Sequence, residues 1–254
     1  LKFTVSAKEL EQAIESIRVK GKSLTSKGFG NGTMGDYIYI VLEGNVLSIV
    51  NGSAIFMAKI SLAVVGEENG NCVVDATVVL PYLKSFKGNI TVAGGDFISI
   101  SQTGKRASLP KVVNHPAMDA LENSLDRTKE ITWSAALNEL PTFGKTTFEG
   151  AFSLTSEQFK SCIKNCELVK SGVYRLDFNK ETATFSSQQN VQNRYTETIT
   201  PVVALGEAAT LDYTSPLQNF FGKEQLLNFY VKDDFPLLIV AEDRMILKAP
   251  QIGD

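Results

Sequence analysis

Two distant stretches of this chain carry the same pattern, so any fold must accommodate that pattern twice. Residues 3–17 read FTVSAKELEQAIESI and residues 152–166 read FSLTSEQFKSCIKNC. Each opens with alternating apolar residues, the period of a half-buried strand. Each then reaches a hydroxyl residue followed three positions later by Glu or Gln: Ser6 with Glu9, and Thr155 with Gln158. That spacing is a capping box, in which two side chains satisfy free amides at a helix start. Apolar residues follow at helical spacing: Leu10, Ala13, Ile14 and Ile17, then Phe159, Cys162, Ile163 and Cys166. Each helix is expected to have one buried stripe and one wet face.

The likeness continues past the helices. Strand-like runs follow the first copy at 37–42, 46–50, 54–62 and 71–76, with Glu43-Gly44-Asn45 and Asn51-Gly52 as turn signals. The second copy is followed by runs at 172–178, 182–187 and 194–203. Each half then has a second helix candidate, 77–87 and 214–222, preceded by Val74-Asp75 and Leu211-Asp212. Pro81 lies inside the first candidate, so that helix is expected to begin late or bend. Strands close each half, at 89–93, 96–102 and 106–109 and at 226–232, 236–241 and 244–248. This order predicts an α+β fold of two repeated modules, 1–110 and 151–254, with mostly antiparallel sheets and the helices on one face. Residues 111–150 form the connector, and one of that length is usually functional or mobile.

Composition limits the functions open to such a chain. Its 254 residues carry a net charge of −3, and 43% of them are hydrophobic. A whole-chain basic excess is absent, so any contact with nucleic acid must come from a local basic surface. The three cysteines, Cys72, Cys162 and Cys166, are too few for a disulfide framework and fit a reducing compartment. Cys162 and Cys166 share a helical face without histidine partners, which reads as core and not as a zinc site. No apolar run has the length of a membrane span, and the first residues carry no signal-peptide pattern. The glycosylation-like triplets at Asn31, Asn51 and Asn89 read as turns.

Three phrases near the end resemble the proliferating cell nuclear antigen family of sliding clamps. They are Asn219-Phe-Phe-Gly-Lys223, the run Lys232-Asp-Asp-Phe-Pro-Leu-Leu-Ile239, and Leu247-Lys-Ala-Pro-Gln-Ile-Gly-Asp254. KFTVSAKELEQAIE and FISISQTGKRASLP in the first half resemble a bacterial clamp module. The resemblance implies a protomer of a ring, three chains closing head to tail, with helices on the inner face and sheets outside. It implies partners as well: double-stranded DNA without sequence preference, a DNA polymerase and other clamp-binding proteins, and a clamp loader. The expected location is intracellular, with the DNA.

Sliding requires weak contacts to phosphate and no base-specific contacts that would make the ring stick. The wet helix faces offer Arg18, Lys20 and Lys22, then Lys84 and Lys87, then Lys160, Lys164 and Lys170, and Lys223. By resemblance, Lys84, Lys164 and Lys223 match the family's basic lining. The first helix departs from it, carrying Glu9, Glu11 and Glu15. The resemblance also implies a pocket for a client's hydrophobic plug, formed by Pro236, Leu237, Ala249, Pro250 and Ile252. Leu137, Leu140 and Phe143 of the connector are candidates for its wall. Leu237 reads equally as strand core, whereas a strand proline such as Pro236 belongs at an edge or bulge.

Catalytic motifs are not supported, and neither a cofactor nor a metal is expected. Gly30, Gly32 and Gly35 match a dinucleotide fingerprint but precede a strand-like run, so no helix N-terminus would hold pyrophosphate. Gly21-Lys22-Ser23 lacks the first glycine of a phosphate loop, because Ser16 stands there. His115, the single histidine, has no nucleophile or carboxylate neighbour suited to acid–base chemistry. Asp233-Asp234 and Glu242-Asp243 are adjacent acids, whose side chains diverge on a strand. Other readings are a clamp-like factor that stays monomeric or joins a hetero-ring, an enzyme on a duplicated scaffold, and an interaction module without DNA.

Overall fold

The strand–helix pattern folds as a strand and a helix in both places. The computed structural model describes residues 1–18, 34–53, 55–113, 117–134, 139–214 and 220–251. The chain divides into two compact units, Leu1–Asp126 and Arg127–Asp254.

In unit 1, β1 (Lys2–Ser6) enters α1 (Ala7–Ile17), where the Ser6 hydroxyl accepts the Glu9 amide. Next come β2 (Tyr37–Glu43), β3 (Val46–Ser53), β4 (Phe56–Ala63), β5 (Val65–Glu68) and β6 (Gly70–Asp75). Helix α2 (Ala76–Ser85) is capped by Asp75 and begins well before Pro81. Strands β7 (Asn89–Gly94), β8 (Phe97–Gln102) and β9 (Lys105–Pro110) follow. They form two antiparallel sheets, ordered β5-β1-β7-β8-β9 and β4-β3-β2-β6. Helices α1 and α2 lie against each other, and α1 buries Leu10, Ala13, Ile14 and Ile17 as its periodicity requires.

The segment 111–150 contains structure that periodicity did not reveal: α3 (Ala117–Lys129) and the short strands β10 (Ile131–Thr132), β11 (Thr142–Phe143) and β12 (Thr146–Thr147). In unit 1, α3 sets Ala117, Leu121 and Leu125 on Tyr39, Val50 and Val73, the outer face of the β3-β2-β6 sheet. Gly52 permits this approach, since a Cβ there would stand 2.1 Å from the Ser124 hydroxyl.

Unit 2 continues with β13 (Gly150–Thr155) and α4 (Ser156–Glu167), whose capping box closes in both directions between Thr155 and Gln158. Strands β14 (Val173–Phe178), β15 (Ala183–Gln188), β16 (Arg194–Ile199), β17 (Val203–Gly206) and β18 (Ala209–Thr214) follow. Last are β19 (Leu226–Val231), β20 (Leu237–Val240) and β21 (Arg244–Lys248). The sheet orders, β17-β13-β19-β20-β21 and β16-β15-β14-β18, repeat those of unit 1 strand for strand.

Several local readings change: Asn89, read as a turn, opens β7, and α2 does not begin late at Pro81. The run at 194–203 is two strands, because Pro201 has no amide to donate and breaks the ladder. Asn51-Gly52 is not a turn but part of β3. The Asn51 side chain is fully buried and donates to the carbonyls of Ile17 (3.0 Å) and Gly35 (3.1 Å). The helix expected over 214–222 falls largely on residues outside the described set.

Candidate functional site

The basic candidates occupy different environments. Arg18 caps the end of α1 and pairs with Asp36 at 2.5 Å, both side chains only 23% exposed. Its charge is therefore already answered. The rest of the outer face of α1 presents Lys8, Glu9 and Gln12 to solvent, with Glu11 half-buried. Lys84, in the last turn of α2, and Lys87 just beyond it are exposed. Lys105 of β9 adds a third cation nearby, lying 4.5 Å over the Phe86 ring that ends the helix. Lys20 and Lys22 lie outside the described residues.

In unit 2, α4 exposes Lys164 and half-buries Lys160. The Lys160 ammonium donates to the Gly222 carbonyl at 2.8 Å, in the turn whose tip carries exposed Lys223. Burial pushes the Lys160 pKa down, and the neighbouring charges of Lys223 and Arg244 push it further. Three cations thus converge at this turn. Arg244 was not foreseen, because nothing in its local sequence links it to a turn twenty residues earlier. Lys170 is exposed in a left-handed backbone conformation beyond α4.

A second assembly in unit 2 is aromatic. Phe148 is buried and packs on Phe235 (5.3 Å between centroids) and Tyr230 (6.1 Å). Phe143 of β11 meets Phe235 edge-on at 6.1 Å, and the Arg127 guanidinium lies 5.5 Å over the Phe143 ring. Trp133 meets Tyr230 at 5.7 Å and remains 46% exposed. Phe235 is followed by half-buried Pro236. Of the three wall candidates, Phe143 joins this cluster, Leu140 is half-buried, and Leu137 lies outside the described residues.

The remaining candidates near the C-terminus are distributed unevenly. Leu237 is 1% exposed within β20, and Ala249 and Pro250 are half-buried. The Gln251 amide donates to the Asp212 carbonyl at 2.7 Å, tying the tail to the edge strand β18. Ile252 and His115 lie outside the described residues. Asp233 accepts the Thr210 amide at 2.6 Å. No helix among the described residues is long and apolar enough to cross a membrane.

Solved structures decide the fold. The β subunit of DNA polymerase III from Thermotoga maritima matches over 100% of this chain, with a TM-score of 0.74 and 14% identity. This chain has the sliding-clamp fold. It spans about two thirds of that subunit, 66% of its length. The clamp fold also aligns with A. fulgidus PCNA bound to the C-terminal region of FEN-1, at a TM-score of 0.70 and 12% identity. That alignment covers 100% of this chain and 99% of the archaeal one. PCNA from Thermococcus kodakaraensis gives a TM-score of 0.67 and 15% identity, covering 98% and 99% of the two chains. No protein-family model matches the sequence, and no curated protein does. The likeness is therefore one of clamp fold, reached from a divergent sequence.

Proposed function

We propose that this chain is a DNA sliding clamp: a polymerase processivity factor that encircles duplex DNA and tethers replication and repair proteins without catalysing a reaction. The observation that carries this reading is the clamp fold over the full length of the chain, built from two units whose larger sheets have the same strand order. With two units where the bacterial subunit is half as long again, three copies would close the ring head to tail. Lys84, Lys87, Lys160, Lys164 and Lys223 would face the phosphates, with Lys20 and, less freely, Arg18. The aromatic cluster, with Pro236, Ala249, Pro250 and Ile252, would receive a client's hydrophobic plug. Buried Leu237 would support the strand beneath.

Light scattering at high protein concentration tests the ring. The expected mass is three chains, and a monomer would sink the closed homotrimer. Primer extension with a polymerase and loader, on circular against linear template, tests the tether. Longer products are expected on the circle, and equal lengths would count against encirclement. The acidic outer face of α1 favours a second reading, in which the chain joins a hetero-ring whose other subunits supply more of the positive lining.

A further inference from the structure

The turn carrying Lys223 is held by more side chains than an exposed lysine needs. Phe220, which opens it, gives its carbonyl to Arg244 Nη1 at 2.7 Å, and the same guanidinium lies 5.7 Å over the Phe220 ring. Arg244 Nε and Nη2 donate to the two carboxylate oxygens of Asp243 at 2.8 and 2.6 Å, a bidentate pair that fixes the plane of the guanidinium. Gln225 closes the turn from both sides. Its Nε2 donates to Asp243 at 3.0 Å, and its Oε1 accepts the Gly222 amide at 2.7 Å. The Gln225 backbone is in turn bonded to Ser156 at the start of α4, by a 2.8 Å bond from the Ser156 amide. Burial alone would raise the Asp243 carboxyl pKa, but the hydrogen bonds and charge of Arg244 outweigh it and hold it below the usual range.

This arrangement gathers cations at an energetic penalty. Like charges near one another repel, most of all where burial limits screening. A lysine meant only to keep a surface wet would be placed apart. A rigid frame that bonds the Lys160 ammonium to the Gly222 carbonyl, next to exposed Lys223, is explained by an anion that meets both.

We propose that Asp243, Arg244 and Gln225 are positioning residues that lock the 220–225 turn, so that Lys223 and Lys160 engage the phosphate backbone as one unit. This rests on the DNA-clamp reading above and adds to it a group of residues that need not touch DNA.

The test uses the full chain, a short fluorescent DNA duplex titrated at several salt concentrations, and amide exchange in the free protein. Asp243→Ala separates charge from position. Removing an anion should tighten DNA binding if charge alone matters. The latch predicts weaker binding, by about three- to tenfold, and exchange at the Gly222 amide accelerated by about tenfold or more. Gln225→Ala changes no charge and should move both readouts in the same direction by less. It decides the matter if Asp243→Ala unfolds. Lys160→Ala and Lys223→Ala should each lower the salt slope by about one. If they do, while Asp243→Ala binds as tightly as the parent or tighter, the latch is overturned and the DNA reading stands. If neither lysine variant changes binding, the DNA contact is overturned, and Gly222 exchange alone reports whether the turn is locked.

Discussion

Units 1 and 2 share every strand position in their two larger sheets, yet they are built from different chemistry. In unit 1 the first strand pairs Phe3 with Val92, and in unit 2 the matching pair is Phe152 with Phe229. Phe152 and Phe229 stack at 4.7 Å, with Phe159 and Phe185 edge-on around them. The first unit's core is largely aliphatic, with Ile14, Ile38, Ile49 and Ile60 fully buried. The solvent faces diverge too: α1 sets Glu9, Glu11 and Glu15 against Lys8, whereas α4 balances Lys160 and Lys164 with Glu157 and Glu167. The pattern of apolar positions sets the topology, and the identity of residues at those positions, or outside them, is free to vary. Duplication therefore copied an architecture and left each unit to acquire its own surface.

Alkali should break the two units apart most strongly. Burial raises the thiol pKa of Cys72 to about 12 and of Cys166 to about 11, and pushes Cys162 higher still, with Glu197 adding to it. Groups raised in the folded state keep their full contribution below the unfolded value near 9, and lose it as pH climbs toward the folded value. Stability should thus fall above about pH 9. Two of the three thiols lie in unit 2, and buried Tyr174 and Tyr213, also raised by burial, add to its loss above about pH 10, so that unit should open first. Lys248 opposes this: burial lowers its pKa to about 8, and its contribution grows as pH rises from there toward 10.5. Circular dichroism between pH 8 and 11 on the parent and on Cys162→Ala measures the effect. An unchanged alkaline midpoint would contradict it.

Phe229→Ala should cost about 3–5 kcal/mol in chemical denaturation. Val92→Ala, its counterpart in unit 1, should cost about 1–3 kcal/mol. Equal losses would mean that the aromatic core carries no extra share. Gly52→Ala should cost about 1–3 kcal/mol by forcing Ser124 away, and proteolysis should then cut within α3 sooner than in the parent. Tyr213, fully buried and stacked on Tyr174, has no hydrogen-bond partner for its hydroxyl among the described residues. Tyr213→Phe should therefore leave stability unchanged or raise it by about 1 kcal/mol. Smallest of all, Gln12→Lys should offset part of the acidic face of α1, steepening the salt dependence of DNA binding by about one.

The elements that repeat were legible because capping and periodicity are local. Ser6 and Thr155 announce their helices, and Leu10 or Phe159 begins each stripe. Helix α3 escaped because its apolar contacts are few and the rest of its sequence is polar. The signal stood elsewhere: Tyr37 to Leu42 is apolar on both faces of its strand, which requires a cover on each side. The aromatic cluster joins Trp133, Phe143 and Phe148 to residues near 230, and no spacing rule connects them. The basic residues were visible as a list. Which of them meet was not, since Arg18 turned toward Asp36 while Lys160 turned toward Gly222.

Trp133 is the chain's single tryptophan. Half in solvent and half against Tyr230, it makes the protein its own fluorescent gauge. Any client segment that settles on the aromatic cluster must alter the polarity around this one indole, so emission wavelength would report occupancy there with no label attached. Binding confined to the basic turn at Lys223 would leave that colour where it was, and the two surfaces could be titrated separately in one cuvette.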